Sequence, residues 1–387
     1  MVFALTPEQL ALQARAVAAG EEFRDQARGW DESDDAPYRA IFDRIGELGL
    51  FALTMPIEHG GQGLGAMEYF LAAEAIFRAS QSWLVGEPLF CTSGPGPSMV
   101  LLGQDAVQEK YLPDIVAGRR GCNIALTEPL HGSDLTHLET TAVRDGDRFI
   151  LNGSKNYVTG AVVNHLHAVF VRFDDLPGAK GIGAVIVEDG FDGVTVARGP
   201  SFIGDRGIPH GDLSFHDAVV PVENLLIDRG QFGRLMRAFN MERLHNCAFW
   251  LGAMEAAYDE AAKRVQERQA FGKPLLTFQA VYHDLAWMWT QIEAHRLLCW
   301  RAAMTAHEGR FPDFQMVTTA KLFGATVGPQ ITLKSLELHG GYGVTADYPI
   351  QRIHRDAITN VVAGGAPAVL KNAVAAGLFP DHRFPQT

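Results

Sequence analysis

Residues 140–151 read TTAVRDGDRFIL, and the fold turns on this stretch. Two short runs with strand propensity flank Asp145-Gly146-Asp147, a tight-turn signal. Residues 140–143 and 148–151 are therefore predicted as the arms of a β-hairpin. The pattern continues outward. Residues 168–173, 182–187, 194–197 and 213–215 are runs of Val, Ile, Phe, Thr and Leu between turn signals, and they are predicted as further strands. Together they define a β domain over residues 122–228, of ordinary domain size.

On both sides of that domain the period changes to that of helices. In residues 1–121, Thr6, Pro7 and Gln9 form a helix-start signal at once. Ile41, Ile45, Leu48 and Leu50 ride an amphipathic segment that stops at Gly49 and Pro56. Residues 67–79 and 106–116 follow as helices. The segment 86–103, GEPLFCTSGPGPSMVLLG, is so interrupted by Gly and Pro that any helix there is short or broken. In residues 229–387 a long helix is predicted over 240–269, stopped by Gly272 and Pro274. Thr277 is expected to cap the next helix, with Phe278, Val281, Leu285, Met288 and Ile292 on one face. Asp313 is expected to cap a third, ending at Gly340-Gly341. Long helices joined by short loops pack antiparallel as a bundle. The fold class is α+β, in the order helical, β, helical.

The 387 residues are 47% hydrophobic and 20% charged, a globular composition. A net charge of −12 argues against nucleic acid or an anionic membrane as a partner. The uncharged stretch 88–104 is cut by prolines and glycines, so it is not a membrane span. The N-terminus, MVFALTPEQLALQARAVAAG, has no basic leader pattern, and a cytoplasmic location is expected. Cys91, Cys122, Cys247 and Cys299 lie far apart and indicate neither a zinc site nor a disulfide framework.

Two segments, Gly61–Ala66 and Gly341–Ala346, fit G-x-G-x-x-A. Neither lies between a strand and a helix, so turn glycines are the better reading. Glu128, His131, Asp134 and His137 stand three apart, but Pro129, Gly132 and Ser133 make the segment a loop, and no metal is expected. That loop, ALTEPLHGSDL at 125–135, offers hydroxyls and backbone N–H groups suited to a heterocycle or a phosphate. A well-bonded turn is the equal alternative.

Thr127-Glu128-Pro129 with Gly132-Ser133-Asp134 resembles the first signature of the acyl-CoA dehydrogenase family. Gly153-Ser154-Lys155-Asn156-Tyr157-Val158-Thr159 resembles that family's G-x-K-x-W-I-T strand. Arg268 to Gln279 resembles its R-x-x-F-G-x-P-L-x-x-F-Q element. Gly340-Gly341-Tyr342-Gly343 with Arg355-Asp356 resembles its C-terminal elements. Gly49-Leu50, Pro56, Gly60-Gly61 and 110–113 fit its N-terminal helices. The motifs run in register along nearly the whole chain.

The resemblance implies an N-terminal helical domain, a barrel-like or orthogonal β domain and a C-terminal four-helix bundle. It implies FAD as cofactor, with Ile124, Leu126, Thr127, Ser133, Tyr157 and Thr159 about the flavin. It places Arg268, Phe271, Phe278, Gln279, Glu337, Gly340 and Gly341 on an FAD bound largely by a neighbouring subunit. Tyr157 stands where Trp is usual, Glu337 where Gln is usual, and Ala366 and Ala368 replace Thr and Gln. The implied reaction is α,β-dehydrogenation of an acyl-CoA thioester, with electrons passed to an electron-transfer flavoprotein. Most of the family has a Glu where this chain has Gly364. A subset places the base on the long helix before an Arg, and Glu242-Arg243 stand there. Glu242 is thus the expected base. Ser133, Arg243 and the Gly364 backbone are the expected substrate contacts. A dimer or tetramer is implied, of like chains or with an unlike chain. Two other readings stay open: a partner subunit inactive alone, and a flavin monooxygenase on the same fold.

Overall fold

The computed structural model describes residues 4–382 except 175 and 309–310. Among the described residues, seven α-helices precede the sheet: α1 (Pro7–Phe23), α2 (Ala27–Ser33), α3 (Tyr38–Glu47), α4 (Ala66–Ser80), α5 (Trp83–Thr92), α6 (Pro95–Val100) and α7 (Asp105–Val116). The start of α1 is the predicted capping box. The Thr6 hydroxyl accepts from the Gln9 N–H at 3.2 Å, and Gln9 Oε1 accepts from the Thr6 N–H at 3.0 Å. The Gly/Pro segment is broken between α5 and α6, with Pro88 tolerated inside α5.

The sheet contains β1 (Gly121–Ala125), β2 (Thr141–Asp145), β3 (Arg148–Val158), β4 (His165–Phe173), β5 (Ile182–Glu188), β6 (Val194–Arg198), β7 (Gly211–Pro221) and β8 (Leu225–Ile227). A short helix, α8 (Ala161–Asn164), sits between β3 and β4. The strand order is β6-β7-β3-β2-β4-β5-β8, and β1 pairs parallel with β4. Hairpin β2–β3 pairs Asp145 with Arg148 around the predicted turn. The sheet curls around its own core. Phe149, Leu151, Leu213 and Phe215 from β3 and β7 meet Val169, Val171, Val185 and Val187 from β4 and β5. The opposite face of β4, with Leu166, Ala168 and Phe170, packs on Met99, Leu112 and Ile115 of the helices. Burial on both faces is why β4 reads as a continuous apolar run.

After the sheet come α9 (Phe232–Ala238), α10 (Asn240–Glu267), α11 (Gln279–Met304), α12 (Phe314–His339), α13 (Ile350–Thr359) and α14 (Pro367–Leu378). Asp313 caps α12 as expected, its carboxylate accepting from the Met316 N–H at 2.9 Å. Thr277 does not cap α11. Its hydroxyl donates to the Pro274 carbonyl at 2.8 Å within a single 3-10 turn, and Phe278 takes the N-cap position. The reason is a small hairpin, β9 (Gln269–Ala270) with β10 (Lys273–Pro274), which ends α10 two residues early and reverses the chain first.

One apolar core joins the two helical regions, with Leu12, Phe70 and Phe77 packed with Trp250, Met254, Ile292, Ile331 and Ile353. Trp250 sets the approach of α10 to α12. A Cβ at Gly328 would lie 2.1 Å from the Trp250 ring, so only glycine lets the helices close at that point. Among the described residues, no helix is long and apolar enough to cross a membrane.

Candidate functional site

The N-terminal turn of α10 carries Glu242. Its Oε1 accepts from the Asn246 amide at 3.1 Å, one turn along the same helix face. Its Oε2 is buried and has no partner. Burial pushes this carboxyl up to about 7, while Asn246, Lys321 and Arg243 pull it back. Gly364 lies directly against it. A Cβ built there would be 3.6 Å from Glu242 Cγ and 2.8 Å from Asn246 Nδ2. The chain at Gly364 has φ +63°, which also favours glycine. Two positions 122 residues apart in sequence thus share one spot, with a carboxylate on one and an open backbone on the other.

Lys321 of α12 holds this arrangement from behind. It is fully buried, and its ammonium donates to the Val361 and Gly365 carbonyls at 3.1 and 2.8 Å. Burial lowers it to about 8. Arg243 turns away from the carboxylate. It is buried, donates to Asn240 Oδ1 at 2.9 Å, and lies over the Phe239 and Phe314 rings at 5.5 and 4.9 Å. Burial brings it down to about 10.

A second group gathers on the sheet. Ile124 and Leu126, at the end of β1, are half-buried against the core. The Thr127 carbonyl accepts from the Asn156 N–H at 2.8 Å, tying the loop after β1 to β3. Beneath it Lys155 donates to Glu128 Oε1 at 2.6 Å and to the Leu126 carbonyl at 3.1 Å, with both side chains buried. Glu128 also accepts from the Glu139 and Thr140 N–H groups at 2.6 and 3.0 Å. Burial works to raise the Glu128 carboxyl, but Lys155 and these donors hold it below the usual range. Above this base, Ser133 is exposed, Thr159 is half-buried, and Tyr157 shows its ring to solvent beside Phe202. Tyr157 has φ +60°, and its N–H donates to Asp212 at 3.1 Å. The neighbouring Asn156 Oδ1 is buried without a partner. An exposed aromatic face, hydroxyls and an unused amide oxygen suit a planar polar heterocycle.

A third group lies at the far end of the bundle. Arg268 follows the last residue of α10, Gln279 opens α11, and Gly340-Gly341 close α12. Arg268, Gln279, Glu337, Gly340 and Gly341 are all exposed, and Phe271 is 94% exposed. Phe278 is half-buried under Lys273, whose ammonium is 4.4 Å from the ring centre. Glu337 is not a bare charge, because Lys334 pairs with it at 2.6 Å. From Glu242 to the end of α10 is 25 residues, about 37 Å at 1.5 Å per residue. One chain therefore keeps the bundle-end group far from its own carboxylate.

Sequence reasoning named Glu242 and Gly364 but missed Asn246 and Lys321. Asn246 could have been found, since it stands at i+4 from Glu242. Lys321 could not, because its partners are carbonyls 40 and 44 residues away. Of the three-apart segment, Glu128 is committed to Lys155, and His137 Nδ1 lies 2.8 Å from Asp134. Among the described residues, no group of three or more His, Cys, Asp or Glu could hold a metal ion.

Comparison with known proteins gives a consistent result. The profiles of the acyl-CoA dehydrogenase N-terminal, middle and C-terminal domains match residues 6–119, 123–218 and 230–379. The short-chain-specific acyl-CoA dehydrogenase of Clostridium acetobutylicum is 32% identical, covering 98% of this chain and 100% of that protein. The CarC subunit of the caffeyl-CoA reductase–Etf complex of Acetobacterium woodii is 31% identical, covering 90% of this chain and 92% of that protein. Among solved structures, butyryl-CoA dehydrogenase from Megasphaera elsdenii superposes with a TM-score of 0.93 at 29% identity, covering 98% of this chain and all of that one.

Proposed function

The chain belongs to the acyl-CoA dehydrogenase family, and from that premise we propose that it dehydrogenates an acyl-CoA thioester at Cα–Cβ with Glu242 as the base. It is an oxidoreductase, and FAD is the cofactor of its family. The residues present fit that group. Tyr157, Thr127, Thr159 and the unpartnered Asn156 Oδ1 would receive its ring, with Ile124 and Leu126 beneath. Arg268, Gln279 and Gly340-Gly341, with the open Phe271 ring, would hold the pyrophosphate end of a cofactor seated mainly on a second chain. A dimer or tetramer follows from that division, built from like chains or with an unlike one. When bound, FAD supplies the hydride acceptor of the dehydrogenation.

The chain's own residues supply the proton chemistry. The observation that carries the reading is the buried, unpartnered Glu242 Oε2 beside Gly364. Asn246 holds the other oxygen, so the carboxylate is oriented with one lone pair free to take a proton. The Gly364 N–H donates to the thioester carbonyl and makes the α-proton more acidic. Lys321 keeps the Gly364 loop in place through the carbonyls on either side. Ser133 completes the expected substrate contacts, while Arg243, buried and turned from the carboxylate, supports the α10 terminus instead of touching substrate.

An electron-transfer flavoprotein is the proposed acceptor, and the Etf complex of the A. woodii relative supports it. Four buried, unpaired cysteines suit a reducing compartment, in keeping with a cytoplasmic enzyme. The test is flavin bleaching in single turnover with a panel of acyl-CoA thioesters. Glu242→Gln is expected to bind substrate yet bleach about 10²–10⁴-fold more slowly. Bleaching within about threefold of wild type, far less than a general base contributes, would remove Glu242 from the mechanism. It would favour a partner subunit whose base is supplied elsewhere.

A further inference from the structure

His245 stands three residues beyond Glu242, on the same side of α10, about 4.5 Å further along the axis. It is fully buried in an aromatic box. The Phe77, Trp83 and Phe90 rings meet it edge-on at 5.4, 5.2 and 5.3 Å between centres. Its Nδ1 is 2.6 Å from the Tyr69 hydroxyl of α4, and its Nε2 has no partner. Burial brings the imidazole down to about 3, so it is neutral at pH 7. From α5, Glu87 reaches the same interior and is also fully buried. Its Oε2 accepts from Trp83 Nε1 at 3.3 Å, and its Oε1 has no partner. Burial, and then the Glu242 charge, push Glu87 well above its ordinary value and favour its protonated form. Tyr69 is bonded to the imidazole, and Trp83, bonded to Glu87 through its Nε1, packs its ring against the same imidazole.

Buried polar groups normally find partners, because an unmet donor or acceptor loses water and gains nothing. Here three side chains each keep one unmet atom, Glu242 Oε2 and His245 Nε2 on α10 and Glu87 Oε1 on α5, and Trp83 touches both His245 and Glu87. The first is explained by a proton taken from substrate. A hydrocarbon acyl chain would leave the other two unmet. A carboxylate-ended chain would bring a further negative charge near Glu242, and among the described residues neither Glu87, bonded only to Trp83 Nε1, nor His245, bonded only to the Tyr69 hydroxyl, has a cation as partner to balance it. We propose that Glu87, Tyr69 and His245 form an acyl-end subsite for a thioester bearing an uncharged hydroxyl or ketone oxygen a few bonds beyond the carbon that Glu242 deprotonates. This rests on Glu242 marking the reacting end of the site. The unpartnered Glu87 Oε1, on a carboxyl whose protonated form burial favours, and the unpartnered His245 Nε2 offer two hydrogen-bonding positions for one such oxygen.

The test separates binding from turnover. Holoenzyme carrying Glu242→Gln is titrated calorimetrically with hexanoyl-CoA, 5-hydroxyhexanoyl-CoA, 5-oxohexanoyl-CoA and adipyl-CoA. One of the two uncharged oxygenated thioesters is expected to bind at least about tenfold tighter than both others, since a site built to hydrogen-bond rejects an analogue lacking the group. Adding His245→Phe or Glu87→Met should reduce that advantage to less than about threefold, as a lost hydrogen-bond partner does. If those variants lose FAD, Tyr69→Phe removes only the hydroxyl on His245 and should still cut the preference. Hexanoyl-CoA or adipyl-CoA binding as tightly as the oxygenated pair overturns the subsite. So does a preference that survives these changes. Bleaching that depends on Glu242 without any binding preference overturns the subsite alone. A binding preference with bleaching untouched by Glu242→Gln overturns the base and leaves the subsite standing.

Discussion

Glu242 is held in tension between burial, which favours its protonated form, and the groups that draw it back. As a base it must be ionised, so the rate of flavin bleaching should rise with pH through about 7 and level off above it. Asn246→Leu removes a hydrogen bond that favours the carboxylate. That variant should move the midpoint upward, as read from single-turnover pH profiles. An unmoved midpoint would mean that Asn246 does not tune the group. The same tension acts on stability. The folded carboxyl titrates above its unfolded value of 4.5, so stability is fully present below pH 4.5 and part of it is lost as pH rises through about 7. Glu242→Gln should therefore raise Tm at pH 8 more than at pH 5, by scanning calorimetry. Moving the carboxylate to position 364 meets an obstacle, since the new Cβ would lie 2.8 Å from Asn246 Nδ2 at positive φ. In the Glu242→Gln background, Gly364→Glu should restore bleaching only weakly until Asn246 is also reduced to Ala.

The loop after β1 owes its shape to one buried ion pair. Glu128 gathers Lys155 of β3 and two backbone N–H groups, so the loop that bears Thr127 and Ser133 is locked to the strand that bears Tyr157 and Thr159. Removing one partner of such a pair leaves a buried charge unmet. Lys155→Met should destabilise the protein by about 3–5 kcal/mol and weaken FAD retention, read by urea unfolding and by flavin release on dilution. Lys155→Met combined with Glu128→Gln should recover part of the stability, since the amide oxygen still accepts from the loop. No difference in stability between wild type and Lys155→Met would show that the pair does not brace the loop. The resemblance named Glu128 and Lys155 only as members of two motifs. Their pairing across 27 residues could not be read, because strand register sets it.

At the scale of the molecule, the three helix termini at the far end of the bundle expose a cation, an aromatic ring and two open glycines about 37 Å from Glu242. Arg268→Ala should lower FAD affinity about tenfold or more, through loss of a charge-assisted contact of about 1.5–3 kcal/mol. It should leave the pH midpoint of bleaching in place, because Arg268 is remote from Glu242. Equilibrium dialysis and sedimentation check this together. A monomer with stoichiometric FAD, or unchanged affinity in the variant, would place the motif wrongly.

The family resemblance pointed to Glu242 and Gly364, while the sequence alone determined the order of helical, β and helical regions, the hairpin arms at 140–143 and 148–151, and the caps at Thr6 and Asp313. These are local signals: period, turn chemistry and motif spacing, each carried by residues close in the chain. Only the tertiary structure decided that Gly364 lies against Glu242, that Lys321 braces it, and that β1 pairs with β4. It also decided that Thr277 yields the cap of α11 to Phe278 after a small hairpin. Each of these outcomes depends on where distant segments come to rest. Burial, which shifts the titration of Glu242, Glu87 and Lys155, is a property of that packing and leaves no mark in local sequence.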